Sequence, residues 1–378
     1  MSIPRGGLIS ELDRRRERKE AEISARDARF GPGRVRVTSY MENIGWPELF
    51  GYRMDRVHND PDFAAEQRLR ELIFWADNVD DDTVPAATIQ ADVGMYWDIT
   101  LFGMRIHPTP IGVPEFEPHA LRDSLDLSLL GRFDFHTTGD MPRVLRKYKR
   151  LREVAATDYA GKLDVTFPCF HRGPLDIYVQ LRGYEPFAED TACRPELLHA
   201  ALDHLVDERL RFARERQAFL GEKTLPPTTY VADDWVNVPF ISPKMFRDFV
   251  VPVYRRIRAK EGPPIGFHTC GNMMPVVEDL LSVFPEIQML EISPWNDVAA
   301  LDQLLPPEVG FVTNLVNTVT LGGSEPEQAG KLIPIRNAAR TRKVSLVAQA
   351  IERIPATYEE TFARLNGFLE LARKVLST

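Results

Sequence analysis

The stretch "YVADDWVNVPFISPKMFRDFVVPVYRRIRAKEGPPIGFHTCGN", residues 230–272, reads as one strand–helix–strand unit. A β-branched run at 228–232 (TTYVA) ends in the acidic pair Asp233 and Asp234. Ser242 followed by Pro243 supplies an N-cap and a proline at the first helical position, predicting a helix over 242–260. A second apolar run, 264–268 (PIGFH), closes the unit. Strands joined through a helix pair in parallel, and parallel strands are buried on both faces. Functional side chains then gather beyond the strands' carboxyl ends, which here carry Asp233, Asp234, His268 and Cys270.

The same rhythm extends outward. Further strands are expected at 34–38, 163–168, 286–292, 309–314 and 344–350, with helices at 61–77, 141–160, 195–220, 273–284, 296–305, 325–341 and 356–376. In the run 195–220, Leu198, Leu205, Phe212 and Phe219 recur every seven residues and Leu202 fills the stripe. This alternation predicts an α/β fold with a parallel sheet under helices. No Ser-, Pro- or Gly-rich linker interrupts it after residue 160, which favours one continuous domain over 31–378. Residues 10–30 mix both charge signs at helical spacing with few apolar anchors and read as a solvated helical arm, so 1–30 is set apart. The proline-studded, aromatic stretch 80–120 reads as an elaborated loop region over the site.

Composition narrows the partners. With 44% hydrophobic and 27% charged residues, the 378-residue chain can bury a sizeable core. A formal net charge of -8 argues against general binding to nucleic acid or an anionic membrane, leaving small molecules or proteins, with a homodimer left open. Cys169, Cys193 and Cys270 are too few and scattered for a disulfide framework, and no signal-like or membrane-spanning apolar run occurs, so a reducing, cytoplasmic setting is expected. Cys169 and Cys193 read as structural.

His268 and Cys270, two apart at a strand end, project to the same side and can reach one ion. Zinc suits imidazole plus thiolate; a buried cysteine beside a histidine bonded to a carbonyl is the competing reading. Gly271 permits a sharp turn and Asn272 can cap the next helix. Asp233 and Asp234 are candidates for metal ligand, hydrogen-bond partner of His268, general acid/base or helix cap. Trp46, Trp97, Trp235 and Trp295, with Tyr40 and Tyr96, fall in expected loops, where they would either line a mouth or cap the core.

These residues carry a family likeness. Residues 230–272, with the acidic pair, the "SP..F..F..P" helix and "H.CGN", resemble the central segment of the uroporphyrinogen decarboxylase superfamily. That superfamily includes the decarboxylase and the corrinoid-linked and coenzyme M methyltransferases. Agreement continues through "RGPLDIYVQLRGYEPFAEDTACRPELLHAAL" (172–202), "VTNLVNTVTLGGSEPEQ" (312–328) and "IPATYEETFARL" (354–365). The resemblance implies a (β/α)8 TIM barrel with its site at the C-terminal mouth, and places His171 and Arg172 among the site residues.

The arginine segment by which the decarboxylases grip porphyrinogen carboxylates is replaced here by "SYMENIGWPELFGYRMD" at 39–55. The zinc methyltransferases resemble one another in a His, Cys and later Cys set, and His268 and Cys270 match the first two. No cysteine follows Cys270; the corresponding stretch "LVAQAIERIP" (346–355) offers Glu352, and the intervening strand offers Glu291, as a carboxylate third ligand. The resemblance thus implies a methyltransferase moving a methyl group between a small methylated ether, amine or thiol and a corrinoid protein, with zinc assisting. The alternatives are a decarboxylase of a carboxylated pyrrole or smaller acid, and a degenerate barrel that binds a tetrapyrrole or corrinoid without turnover.

Overall fold

The structure, a computed structural model, describes residues 3–31, 33–42, 45–170, 172–223, 230–351 and 357–377. Among them eight parallel strands follow one another in chain order: β1 (Arg36–Met41), β2 (Thr88–Gln90), β3 (Asp164–Thr166), β4 (Tyr230–Ala232), β5 (Gly266–His268), β6 (Met289–Ile292), β7 (Gly310–Leu315) and β8 (Val344–Ile351). Hydrogen bonding runs β1-β8-β7-β6-β5-β4, with β2 paired to β3. An isolated bridge from Arg172 to Ala232 ties the segment after β3 to β4. This is the (β/α)8 barrel expected. Val344, Phe311, Leu290, Phe267 and Val231 form one rung across five neighbouring strands, each at most 8% exposed. They face the covering helices, whereas the alternate positions, Tyr230, His268, Glu291 and Asn314, share the inner side.

β2 lies inside the stretch read as loop. Its three residues contain one buried side chain, Ile89, so there is no alternation long enough to recognise. The same stretch holds a two-residue ribbon, Ile106–His107 against Glu115–Phe116. The helix expected over 242–260 is divided by a π-type turn, Phe246–Val250, ahead of Val251–Glu261. Helices Pro174–Arg182 and Tyr184–Cys193 fill a stretch for which only family likeness was noted.

The N-terminal helix α1 (Leu8–Phe30) packs on the body of the protein. It lies along α2 (Pro61–Asn78), buries Leu8, Ile9 and Leu12, and its Arg15 and Arg18 both pair with Asp77 at 2.9 and 3.0 Å. Lys19 is buried because its Nζ donates to the carbonyl of Val79 at 2.6 Å.

Between β1 and β2 no strand ladder forms among the described residues, and side chains satisfy the two free edges. Asp82 accepts from Val37 N (2.9 Å) and Asp81 from Ser39 N (2.9 Å), while Arg68 Nε donates to Thr88 O (3.3 Å). A cavity of about 530 Å³ lies beside β2. All three residues of β2 line it, together with Thr166 of β3 and buried Glu71, His58 and Lys147. Burial pushes Glu71 from 4.5 up to about 7, and its Oε1 accepts from Tyr52 OH at 2.6 Å.

A carboxyl whose folded pKa is raised favours folding while both states are protonated, and loses that advantage as pH climbs from its unfolded value to its folded one. Glu71 therefore costs stability increasingly from pH 4.5 to about 7 and constantly above. The displacement sets a ceiling of roughly 3 kcal/mol on that cost. Glu71→Gln, which keeps an acceptor for Tyr52, is expected to raise Tm at pH 8 by an amount equivalent to about 1–3 kcal/mol and to leave it unchanged at pH 4. Thermal unfolding of both proteins at the two pH values checks this; an unchanged or lower Tm at pH 8 refutes it.

Candidate functional site

At the carboxyl ends of β4 and β5 three side chains converge. Asp234 Oδ1 lies 3.1 Å from His268 Nε2 and 3.1 Å from Cys270 Sγ, and His268 Nε2 lies 3.3 Å from that sulfur. β5 places His268, and period-two geometry brings Cys270 to the same side. Backbone bonds then fix the loops: Asp233 N donates to His268 O (3.0 Å) and Val238 N to Asn272 O (3.1 Å). Gly271 is required where it stands, because a Cβ there would sit 2.0 Å from Asn237 Oδ1. Asn237 in turn donates to Asp234 O at 2.5 Å. Asn272 Oδ1 accepts from Met274 N at 3.0 Å, the cap expected of it.

Behind the imidazole, Glu291 Oε2 lies 3.1 Å from His268 Nδ1, an ion-pair contact set off the axis of a hydrogen bond. Tyr230 OH (2.7 Å) and Asn314 Nδ2 (2.6 Å) hold the two oxygens of Glu291. Expected as a ligand, Glu291 thus meets the other nitrogen of His268, in the arrangement by which carboxylates orient metal-bound histidines. The third donor atom beside His268 and Cys270 comes instead from Asp234. Glu352 and His171 lie outside the described residues.

The electrostatics are those of a cation hole. Burial alone would lower His268, but Asp234, Cys270 and Glu291 draw it up to about 12. Burial would raise Asp234 and Glu291, yet their contacts with His268 hold both below the usual carboxylate range. Burial pushes the Cys270 thiol up. A zinc ion about 2.0 Å from N and O and about 2.3 Å from S needs tetrahedral ligand atoms about 3.3–3.5 Å apart. The observed 3.1–3.3 Å falls short by only a few tenths, so the donor set fits the ion. Asp234 keeps 42% of its side chain exposed and Cys270 is exposed, so the group opens to solvent.

The two acids of the pair part company. Asp233 is fully buried, accepts from Asp176 N (2.8 Å) and contacts Tyr254 OH (3.0 Å), and burial raises its pKa well above the ordinary value. Arg172 is the other site residue that the resemblance implies. Its Nε is held by Asp98 (3.1 Å) and its Nη1 by Asp176 (2.6 Å), with the guanidinium 4.6 Å from the centroid of the Tyr96 ring. Asp176, raised to about 6 mainly by burial, stands in the first turn of the helix Pro174–Arg182, just beyond Arg172, which lies ahead of that helix in the bridge to Ala232. Asp98 lies in the turn Trp97–Phe102.

Of the aromatic residues, Trp46 and Trp97 are core, at 6% and 7% exposure. Trp235 stacks on Tyr184 at 5.4 Å and meets Phe240 at 4.7 Å beside Asp234, and Trp295 stands 71% exposed. Cys169 and Cys193 are free and exposed rather than buried in a structural role.

Comparison with known proteins agrees with this architecture. A methyltransferase from Methanosarcina mazei superposes with a TM-score of 0.62 over 89% of this chain and 94% of that one, at 17% identity, a likeness of fold. A methylated-thiol–coenzyme M methyltransferase of the same organism is 29% identical over 135 residues. That match spans 36% of this chain and 34% of the relative, about a third of its length. The family model for uroporphyrinogen decarboxylase (URO-D) matches residues 86–343, more than half of the chain and both site-bearing strands. The chain belongs to the uroporphyrinogen decarboxylase (URO-D) family.

Proposed function

We propose that this protein is a zinc-dependent, corrinoid-linked methyltransferase that moves a methyl group between a small methylated substrate and a corrinoid protein. The observation that carries the reading is the convergence of Asp234, His268 and Cys270 on one point at an open barrel mouth. The partial likeness to a methylated-thiol methyltransferase makes thiols and thioethers the first substrate class to test. Asp234, His268 and Cys270 would hold the ion. Bound there, zinc supplies Lewis acidity that stabilises a substrate sulfur as thiolate near neutral pH.

The remaining residues orient and shape. Glu291, fixed by Tyr230 and Asn314, sets the ring plane of His268. Arg172, immobilised by Asp98 and Asp176, puts a permanent positive charge beside Asp234 and steadies that carboxylate. Trp235, Tyr184 and Phe240 form an apolar wall next to the ligands, suited to a methyl-bearing group and to the planar edge of a corrin ring.

The test is direct. Zinc-loaded protein, methylcobalamin and coenzyme M are mixed, and loss of the methylcobalamin absorbance is followed. Turnover that disappears in Cys270→Ala supports the reading. Absence of methyl transfer to or from any thiol tried, together with CO2 release from a carboxylated pyrrole, would move the protein to the decarboxylase branch.

A further inference from the structure

At the opposite end of the barrel from the metal ligands, the last turn of α1 meets the last turns of the C-terminal helix Tyr358–Leu376. A cavity of about 330 Å³ lies between them, lined by Arg26, Arg29, Phe30, Asp80, Arg373 and Lys374 among others. Basic side chains at helix C-termini complement the helix dipole, which accounts for their presence. It does not account for the state of Arg373.

Arg373 is only 8% exposed. Its Nη1 donates to Asp80 Oδ2 at 3.0 Å, but Nε and Nη2 are buried with no hydrogen-bond partner. Those two N–H groups point in parallel from one edge of the guanidinium, the fork that matches two oxygens of a carboxylate or phosphate. Unpaired buried donors are costly, more so on a charged group, and native structures seldom leave them without cause. Charge balance points the same way. Among the lining residues Arg26, Arg29, Arg373 and Lys374 outnumber Asp80 and Glu370, with Arg26 also held from outside the lining by Asp82 at 3.0 Å. Asp80 is shared by Arg26 and Arg373, Lys374 pairs with Glu370 at 2.7 Å, and Arg29 rests 4.8 Å from the Phe30 ring centroid. The rim residues Arg29, Glu370 and Lys374 are long and exposed, and a ligand reaches the covered fork only by displacing side chains of the rim.

We propose that this cavity is an oxyanion site of the phosphate class, in which the Arg373 fork grips two oxygens and Arg29 closes over a third. The shared chemistry is a compact, doubly charged group, met as free orthophosphate or as a phosphate monoester.

Isothermal titration of the full chain with sodium phosphate, against sodium chloride at matched ionic strength, tests it. One saturable phosphate site is expected, with Tm rising as phosphate is added. Arg373→Lys, which keeps the charge and removes the planar fork, is expected to weaken binding about tenfold or more. Arg29→Ala, at an exposed position that does not endanger folding, is expected to weaken it about threefold by removing one charge contact. A parallel titration with glycerol phosphate separates the sources: tighter binding than orthophosphate assigns the site to a monoester, weaker binding to the free ion. Phosphate binding indistinguishable from chloride overturns the proposal. So does native affinity in Arg29→Ala together with native affinity in Arg373→Lys, and if Arg373→Lys does not fold, native affinity in Arg29→Ala alone suffices.

Discussion

Replacing His268 or Cys270 by alanine is expected to reduce zinc in the purified protein from about one equivalent to a trace, and methyl transfer with it. Supporting carboxylates around a metal-bound histidine are typically worth 10–100-fold in affinity, so loss of a ligand itself should cost more than about a hundredfold. The two substitutions remove different donor types from one point. His268 Nε2 lies within 3.3 Å of both partner atoms, and without it Asp234 and Cys270 are two acidic groups with no cation between them. Glu291→Gln should fall between native and ligand variants, because Tyr230 and Asn314 still hold the side chain while the ion-pair contact to Nδ1 weakens. Folding should be affected little, since the ligands sit on the open mouth rather than in the packed layer beneath the helices. Elemental analysis beside thermal unfolding decides the matter. Native zinc content in both alanine variants, at native Tm, would remove the site from the mechanism.

The parts of this architecture legible in the sequence are those governed by period. β5 follows from the apolar run 264–268, with period-two geometry then putting His268 and Cys270 on one side, and the helix Pro195–Leu220 from its stripe of Leu198, Leu202, Leu205 and Phe212. β2 was illegible because three residues with one buried side chain carry no period. For the third donor the sequence offered several carboxylates, Glu352 in the stretch matching the family's later cysteine, Glu291 on the intervening strand, and Asp233 or Asp234, without a means of choosing among them. In space the carboxylate that meets both His268 Nε2 and Cys270 Sγ follows the preceding strand, and only the parallel pairing of β4 with β5, across 34 positions of chain, selects Asp234 from those candidates. Likewise the resemblance placed Arg172 among the site residues, and the fold shows its guanidinium held by Asp98 and Asp176.

Asp233 and Asp234, neighbours that the sequence could not tell apart, are expected to respond in opposite ways. Successive residues on an extended backbone point to opposite sides, so Asp234 reaches the mouth while Asp233 enters the layer behind it. There its Oδ1 accepts the backbone N–H of Asp176 at 2.8 Å and its Oδ2 meets Tyr254 OH at 3.0 Å. The fit is close: a Cβ on Gly173 would lie 2.1 Å from Oδ2. Asp233→Ala leaves both the amide and the phenol unpaired in a buried site, each worth about 1–3 kcal/mol, so a loss of roughly 3–5 kcal/mol is expected. Because burial drives Asp233 toward its neutral form, Asp233→Asn is nearly isosteric with the species present. The amide oxygen can accept from Asp176 N and the amide NH2 can donate to Tyr254, so its cost should stay within about 1 kcal/mol. Asp234→Ala should also leave stability within about 1 kcal/mol, as half-exposed positions usually do, yet abolish tight zinc binding. Denaturant unfolding and zinc titration of the three variants give the comparison. If Asp233→Ala keeps native stability and loses zinc while Asp234→Ala keeps zinc, the roles assigned to the pair are reversed.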